Sequence, residues 1–150
     1  NKNIEMIFSS TLIRAKETAE NLKNKLHVEI LDMSEFRERN QFGIMSGLTK
    51  AEAKEKYPQE VEIMKDYRNT LPNAESYEDL GIRVKEGFDK VINSNYQTVV
   101  VIVHGGIIRN IFREFLSKAI SRIDDCSYAL LDWSGGKLEI IELSGIEIAS

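Results

Sequence analysis

The amino-acid sequence predicts an α/β fold, because two apolar strand patterns each pass directly into an amphipathic helix pattern. Six β-branched residues run without interruption from Thr98 to Val103, which is typical of a strand buried on both faces of a sheet. A histidine and two glycines follow, and apolar residues at helical spacing begin at Ile107. A second strand and helix of the same kind occupy residues 4–25. Repeated strand–helix units of this type favour a mostly parallel sheet.

The N-terminal part of the sequence contains the first strand, the first helix and a second strand. Residues Ile4 to Phe8 alternate and then merge into an apolar run that predicts a strand. The three hydroxyl residues at 9–11 are of the type that caps helices. Apolar residues at spacings of three and four predict a helix from Leu12 to about Lys25, and residues 28–31 predict a short second strand.

The middle of the sequence combines loops with helices. A charged, glycine-punctuated stretch at 34–47 predicts a loop. Capping-box patterns at Thr49–Glu52 and Ser76–Asp79 predict two helix starts. The first precedes a short helix that ends near Pro58, and the second precedes a long helix with an apolar face. A further helix is predicted at 60–68.

The C-terminal part predicts a β-hairpin after the central strand and helix. Residues 117–125 are polar and predict a connection. Strand patterns at 128–132 and 137–143 flank a serine and two glycines, which are typical of a tight turn. No internal repeat, low-complexity tract or linker interrupts the sequence, so a single domain is predicted over residues 1–150.

The composition is that of an ordinary globular protein and disfavours several classes of function. The 150 residues are 42% hydrophobic and 29% charged with a formal net charge of −4, and nothing in them favours nucleic-acid binding. The single cysteine, Cys126, can form no internal disulfide and supports no cysteine-based metal site. No stretch resembles a membrane span or a signal peptide. We therefore expect a cytoplasmic protein without nucleic-acid or membrane partners.

Two polar residues lie where predicted strands pass into helices, and both are candidates for an anion site. His104 follows the central strand, and Arg14 lies in the first turn of the helix that begins near Leu12. The carboxyl edge of a parallel sheet, beside unpaired helix N–H groups, is where α/β proteins bind anions. Arginine can hold two phosphate oxygens at once. The alternative roles are a turn hydrogen bond for His104 and a solvated surface pair for Arg14.

Four segments, in order, resemble the motifs of one family. The segment SSTLIRAKETAENL resembles the S-x-L-x-R-A-x-x-T-A motif of the histidine phosphatase superfamily, the phosphoglycerate mutase-like proteins. The segment ERNQFGIMSGLTKAEAKEKYP is similar to the family's E-R-x-x-G-x-x-x-G loop, ESYEDLGIRV to its E-S-x-x-D-x-x-x-R helix start, and VVVIVHGGIIRNIF to its second-histidine motif. The resemblance covers Ile4 to about Phe112 and implies a three-layer α/β/α fold.

The resemblance implies phosphomonoester hydrolysis without a cofactor. In this family a histidine of an R-H-G motif attacks the phosphoryl group and becomes a phosphohistidine. By position, Glu38 matches the acid that protonates the leaving oxygen and then activates water, and His104 matches the histidine that hydrogen-bonds the transferring group. Arg14, Ser10 and Gly105 match residues around the phosphate. Arginine and imidazolium can stabilise the phosphoryl oxygens without a metal.

Two features depart from the family pattern. No Arg-His-Gly occurs in the sequence, so we expect the nucleophile and the first strand of the sheet upstream of Ile4. A naturally truncated relative, or a partner chain that supplies the segment, is the alternative. The acid loop has one residue more between Glu38 and Gly43 than the E-R-x-Y-G spacing of the mutases, which leaves Glu35 as a second candidate for the acid.

The substrate class is indicated by the short span between the Glu38 loop and Glu75, which by resemblance favours the compact phosphatase branch and a small phosphorylated metabolite. The sequence leaves two other functions open. A relative without its nucleophile would bind phosphate or a partner without turnover. A lipase-type oxyanion loop at His104 would need a G-x-S-x-G elbow, and the pattern at 43–47 has its serine one place late. A sheet that lacks a strand could also pair two copies into a homodimer.

Overall fold

Residues 3–149 are described by a computed structural model, which shows the predicted mixture of strands and helices. They divide into two compact units, one containing the residues up to Glu38 and from Val84 onward, the other containing Arg39–Arg83. The single domain over 1–150 remains a prediction, and residues 1, 2 and 150 lie outside the described residues. In chain order the elements are β1 (Met6–Ser10), α1 (Ile13–Leu26), β2 (Glu29–Met33), α2 (Lys50–Lys56), α3 (Pro58–Ile63), α4 (Tyr77–Ile92), β3 (Val99–Ile102), α5 (Gly105–Leu116), β4 (Ile120–Ser134) and β5 (Lys137–Ile148), with single 3₁₀ turns at Ser34–Phe36 and Gly43–Met45.

The first unit is built on a parallel sheet of β2, β1 and β3, in that order. The central strand β1 pairs in parallel with both neighbours, Met6 lying opposite Glu29 in β2 and Val99 in β3. Its residues Ile7 and Phe8 are buried in the core. The α/β prediction is confirmed, and the carboxyl ends of β1 and β3 lie at the same edge of the sheet.

The predicted double burial of the central strand is wrong for the described residues. β3 is only four residues long, and all four are half-buried. It forms an edge of its sheet, because one side pairs with β1 and no strand among residues 3–149 pairs with the other. A run of β-branched residues predicts a strand that is suited to the interior of a sheet, but it does not say which neighbours are present.

The predicted cap of α1 is also corrected. Ser9 and Ser10 continue β1 and are fully buried, because they pair with Asp32 and Met33 of β2. The helix starts one residue after Leu12, which has no capping side chain.

The predicted hairpin is confirmed, but β4 begins much earlier than expected. Residues 117–125 are mostly strand rather than connection, with Ile120 opposite Ile148. The register shifts between Ile123 and Tyr128, and a bulge of polar residues there hides the strand pattern in the sequence. The apolar face of the hairpin packs on α5 around three buried residues, Phe112, Ile120 and Ile146.

The second unit is tied together by Arg39, which is 8% exposed. Its guanidinium donates to the backbone carbonyls of Glu75 at 3.0 Å and Asn69 at 3.0 Å, and also to that of Tyr67. These carbonyls lie in a loop without regular structure, so one buried cation satisfies backbone groups that secondary structure does not. Arg39 is the arginine of the E-R pattern, and its structural role was not anticipated.

Helix starts in the second unit follow the capping chemistry of the sequence. The capping box of Thr49 and Glu52 is present in both directions. Ser76 Oγ accepts the N–H of Asp79 at 2.9 Å, as the second capping pattern predicts. The predicted helix at 60–68 is shifted, because Pro58 occupies the first helical position and the helix ends at Ile63.

No helix in the described part of the chain is long and apolar enough to cross a membrane.

Candidate functional site

The candidate site lies at the carboxyl ends of β1 and β3. Helix α1 follows β1 and helix α5 follows β3. Because β1 and β3 are neighbours in the sheet, the N-termini of both helices lie at this edge. α1 leads back to β2, whereas α5 leads to the separate β4–β5 hairpin. The carboxyl ends of parallel strands are where α/β proteins bind ligands. First-turn N–H groups have no partner within their own helix and favour an anion there.

His104 is hydrogen-bonded to two other predicted site residues at this edge of the sheet. It is the N-cap residue of α5 and is 7% exposed. Its Nδ1 accepts the Nε–H of Arg14 at 3.2 Å, and its Nε2 lies 2.7 Å from Ser10 Oγ. Because Nδ1 is an acceptor, the ring proton is assigned to Nε2, which donates to Ser10. The pattern fixes one tautomer of His104.

Arg14 and Ser10 both hydrogen-bond to His104, which is distant in sequence. The Arg14 side chain is largely exposed, and no described acidic side chain forms an ion pair with it. Ser10 is buried, and its Oγ also accepts the N–H of Leu12 at 3.3 Å. A solvated surface pair for Arg14 is therefore not observed. Phosphate binding by Arg14, Ser10 and Gly105 remains a prediction.

Glu38 lies at the N-terminus of α5. Its Oε2 accepts the N–H of Gly106 at 3.1 Å, and the helix N-terminus stabilises the carboxylate charge. A Cβ at Gly106 would lie 2.3 Å from Oε1 of Glu38, whereas a Cβ at Gly105 would meet only Ile123, at 3.9 Å. The structure shows that Gly106, which was not among the predicted site residues, admits the carboxylate.

Glu35, the second candidate for the acid, is engaged elsewhere. It forms an ion pair with Lys90 of α4, and the hydrogen bond from Lys90 lowers the pKa of the Glu35 carboxyl. It lies close to Gly87, where a Cβ would come within 2.8 Å of the Glu35 Cβ. Glu38, not Glu35, is the carboxylate bonded at the start of α5.

The electrostatic environment of His104 favours its neutral form. Burial lowers the pKa of the imidazole from its ordinary value of 6.5, because desolvation disfavours the cation, and the charge of Arg14 acts in the same direction. The carboxylate of Glu38 partly opposes this shift of the pKa. A neutral ring agrees with the hydrogen bond that Nδ1 accepts from Arg14.

The lowered pKa of His104 predicts that acid destabilises the fold. Below pH 6.5 the His104 imidazole takes up a proton in the unfolded chain more readily than in the folded protein. The free energy of unfolding therefore falls as the pH decreases through 6.5. This loss of stability is complete once the pH lies below the pKa of His104 in the folded protein. Urea unfolding at about pH 7.5 and about pH 5 should therefore show a smaller pH effect in His104→Gln than in the wild type. His27→Gln is the matched control, because His27 is the other histidine and is exposed. Equal acid sensitivity of the wild type and His104→Gln would contradict the assignment.

No group of three or more metal-binding side chains occurs among residues 3–149. The candidate site contains one guanidinium, one imidazole, one hydroxyl and one carboxylate near two helix N-termini. A guanidinium and helix N–H groups can bind a phosphoryl group, and a carboxylate can exchange a proton with it.

The sequence matches the family model of the histidine phosphatase superfamily (branch 1) over residues 1–144. It is 34% identical over 112 residues to an uncharacterized phosphatase, PhoE, of Bacillus subtilis, a match that covers 73% of this chain and 52% of the relative. The chain thus spans about half the length of that relative.

Solved structures show the same fold. YhfR of Bacillus stearothermophilus superposes with a TM-score of 0.83 at 20% identity, covering 97% of this chain and 75% of YhfR. A mycobacterial glucosyl-3-phosphoglycerate phosphatase superposes with a TM-score of 0.79 at 21% identity, covering 96% of this chain and 78% of the other. The similarity extends across both units of the chain.

Proposed function

This chain belongs to the histidine phosphatase superfamily (branch 1), and from that membership we propose that its site hydrolyses phosphomonoesters through a phosphohistidine whose histidine comes from polypeptide outside residues 1–150. The observation that carries the proposal is the hydrogen-bonded group of Arg14, His104 and Ser10, at the edge where Glu38 is bonded to the start of α5. These residues place a cation, a proton donor and a carboxylate at one edge of the sheet.

The proposed reaction has two steps. In the first, a ring nitrogen of the supplied histidine attacks phosphorus, the bond between phosphorus and the ester oxygen breaks, and Glu38 donates a proton to that oxygen. In the second, Glu38 takes a proton from water as the water oxygen attacks phosphorus, the N–P bond breaks, and inorganic phosphate leaves. The same carboxyl group therefore serves as acid and then as base.

Arg14 and His104 stabilise the phosphoryl oxygens in both steps. In the structure Arg14 donates to Nδ1 of His104, and Nε2 donates to Ser10. A phosphate oxygen that binds beside Arg14 replaces Nδ1 of His104 as the acceptor of the Arg14 hydrogen bond. The negative charge of the phosphate then favours protonation of the imidazole. The ring then offers a second donor to the phosphate. Positioning and charge stabilisation of this kind are the main protein contributions to phosphoryl transfer.

The proposed substrate is a small phosphorylated metabolite. The mycobacterial relative is by its name a phosphatase of glucosyl-3-phosphoglycerate, and the Bacillus subtilis relative is named a phosphatase. Both names support hydrolysis of a phosphomonoester rather than transfer to a second metabolite.

Turnover of an aryl phosphate tests the proposal. We expect no turnover from the 150-residue chain and turnover from the same chain preceded by an Arg-His-Gly segment. Replacing the histidine of that segment by alanine should abolish the reaction, and the phosphoenzyme should be acid-labile. Phosphate binding without turnover in the extended protein would overturn the proposal in favour of a non-catalytic phosphate-binding relative. Turnover by the 150-residue chain that is lost in His104→Ala would instead make His104 the nucleophile.

A further inference from the structure

The backbone around Glu38 is fixed on both sides along the chain. Phe36, two residues earlier, is fully buried, and Arg39, the next residue, is 8% exposed. Glu38 itself lies in no helix or strand. Its carboxylate accepts the N–H of Gly106 at 3.1 Å from an irregular segment. The placement of that carboxylate therefore depends on what holds the neighbouring residues.

Arg39 is held by the backbone of Glu75. The Nε–H of Arg39 donates to the carbonyl of Glu75 at 3.0 Å. The N–H of Glu75 in turn donates to the carbonyl of Asn40 at 2.8 Å. The two residues that follow Glu38 are thus both bonded to one residue, and a displacement of Glu75 would break both hydrogen bonds.

The carboxylate of Glu75 is held by Arg83 of helix α4. The Nε–H of Arg83 donates to Oε1 and the Nη2–H to Oε2, both at 2.7 Å. This bidentate geometry is the strong form of an arginine–carboxylate pair, and the two side chains are only 23% and 21% exposed. Glu75 lies outside every helix and strand, whereas Arg83 lies within a helix. The ion pair therefore anchors an irregular segment to a rigid element.

We propose that Glu75 and Arg83 are positioning residues for Glu38. Their ion pair fixes Glu75, whose backbone fixes Arg39. The adjacent carboxylate of Glu38 is thereby kept at the N–H of Gly106. The inference rests on the proposed function, in which Glu38 exchanges protons with the ester oxygen and with water. A misplacement of the acid by about 1 Å can cost about 100-fold in rate.

Amide hydrogen exchange at Gly106 measures the placement of Glu38 without any turnover. The N–H of Gly106 lies in the first turn of α5 and has no partner within the helix, so its protection comes from the Glu38 carboxylate. The N–H of Ile108 donates to the carbonyl of His104 at 3.0 Å and is the internal reference. In the 150-residue chain we expect Arg83→Met to speed exchange about tenfold at Gly106 and less than about twofold at Ile108.

Glu38→Ala and Lys85→Met calibrate the exchange measurement. Glu38→Ala removes the acceptor and sets the largest acceleration that Gly106 can show. Lys85→Met is the matched control, because Lys85 lies on the same helix but pairs with Asp89 one turn further along, with side chains 64% and 43% exposed. It should leave exchange at Gly106 unchanged, since exposed pairs of this kind contribute little.

A double-mutant cycle separates the ion pair from general stability. Glu75→Gln should speed exchange at Gly106 as Arg83→Met does, and the double variant should exchange no faster than either, because both remove one interaction. Arg83→Lys keeps the charge without the bidentate geometry, so it should show an intermediate rate even if Arg83→Met does not fold. Wild-type exchange at Gly106 in the Arg83 variants, additive effects in the cycle, or equal acceleration at Gly106 and Ile108 would overturn the proposal.

Turnover distinguishes failure of this inference from failure of the proposed function. In the protein preceded by an Arg-His-Gly segment, Arg83→Met should lower kcat for an alkyl phosphate by about tenfold, lower it less for a nitrophenyl phosphate and leave KM unchanged. An unchanged ratio of the two kcat values, in a protein whose wild type is active, would refute the positioning role and leave the phosphatase standing. Accelerated exchange at Gly106 together with an inactive wild type would refute the phosphatase and retain the placement of Glu38 by the ion pair.

Discussion

Glu38→Gln is expected to lower the turnover of an alkyl phosphate by about 10²–10⁴-fold in the protein that carries an Arg-His-Gly segment. Glutamine keeps the shape of the side chain and can still accept the N–H of Gly106, but it cannot exchange a proton with the leaving oxygen. The loss should be smaller for a nitrophenyl phosphate, whose leaving group needs little protonation. Comparing kcat for the two substrates therefore separates acid catalysis from a disturbed fold.

Glu35→Gln is the matched control for Glu38→Gln. Glu35 lies three residues earlier, and its carboxylate is bonded to Lys90 rather than to the start of α5. Its replacement should leave kcat for both substrates within about twofold of the wild type, because the carboxylate is bonded outside the candidate site and an ion pair with an exposed lysine contributes little. The opposite result would identify Glu35 as the acid: Glu38→Gln stays active, whereas Glu35→Gln loses much of its kcat for the alkyl phosphate and less for the nitrophenyl phosphate.

Gly106→Ala is expected to reduce turnover by about 10²-fold with little loss of stability. The added methyl group would occupy space 2.3 Å from Oε1 of Glu38, so the carboxylate has to move away. A carboxylate is the far end of a flexible side chain, and its displacement costs the fold little, while alanine favours the helix over glycine. The acid is then misplaced relative to the leaving oxygen. Thermal unfolding and kcat, measured on the same preparation, separate the two effects.

Gly105→Ala is the control for stability at the neighbouring position. A Cβ there meets only Ile123 at an ordinary contact distance of 3.9 Å. Both alanine variants should therefore melt within a few degrees of the wild type. A strongly destabilised Gly106→Ala would show that the carboxylate cannot move, and a fully active one would show that the bond between Glu38 and Gly106 is not used in the reaction.

The positions of His104 and Arg14 in the site could be read from the sequence, because each follows a predicted strand that passes into a helix. A strand that breaks into a helix places His104 on the carboxyl edge, and the same argument places Arg14. Their direct hydrogen bond depends on β1 and β3 being neighbours in the sheet, and local patterns contain no information on strand order. The partner of Gly106 could not be predicted for the same reason, because Glu38 reaches it from a distant part of the chain.

The errors in the predicted fold have physical causes that a short stretch of sequence does not reveal. The hydroxyl residues at 9–11 have the composition of a helix cap, but sheet pairing of Ser9 and Ser10 overrides that preference. The start of β4 was missed, because a bulge interrupts the two-residue period that identifies strands. β3 is only half-buried because no strand among residues 3–149 pairs with its other side, which the character of its own residues does not reveal.

The central position of β1 also has a consequence for how the protein folds. One side of β1 pairs with β2, which follows closely along the chain. The other side pairs with β3, which is synthesised only after α1, α2, α3 and α4. Closing so long a loop costs entropy before any pairing is gained, so sheets of this topology fold slowly. During synthesis β1 therefore lacks its pairing with β3 until Val99–Ile102 has left the ribosome. A nascent chain that stalls before Val99 should accordingly depend on chaperones, whatever the stability of the finished protein.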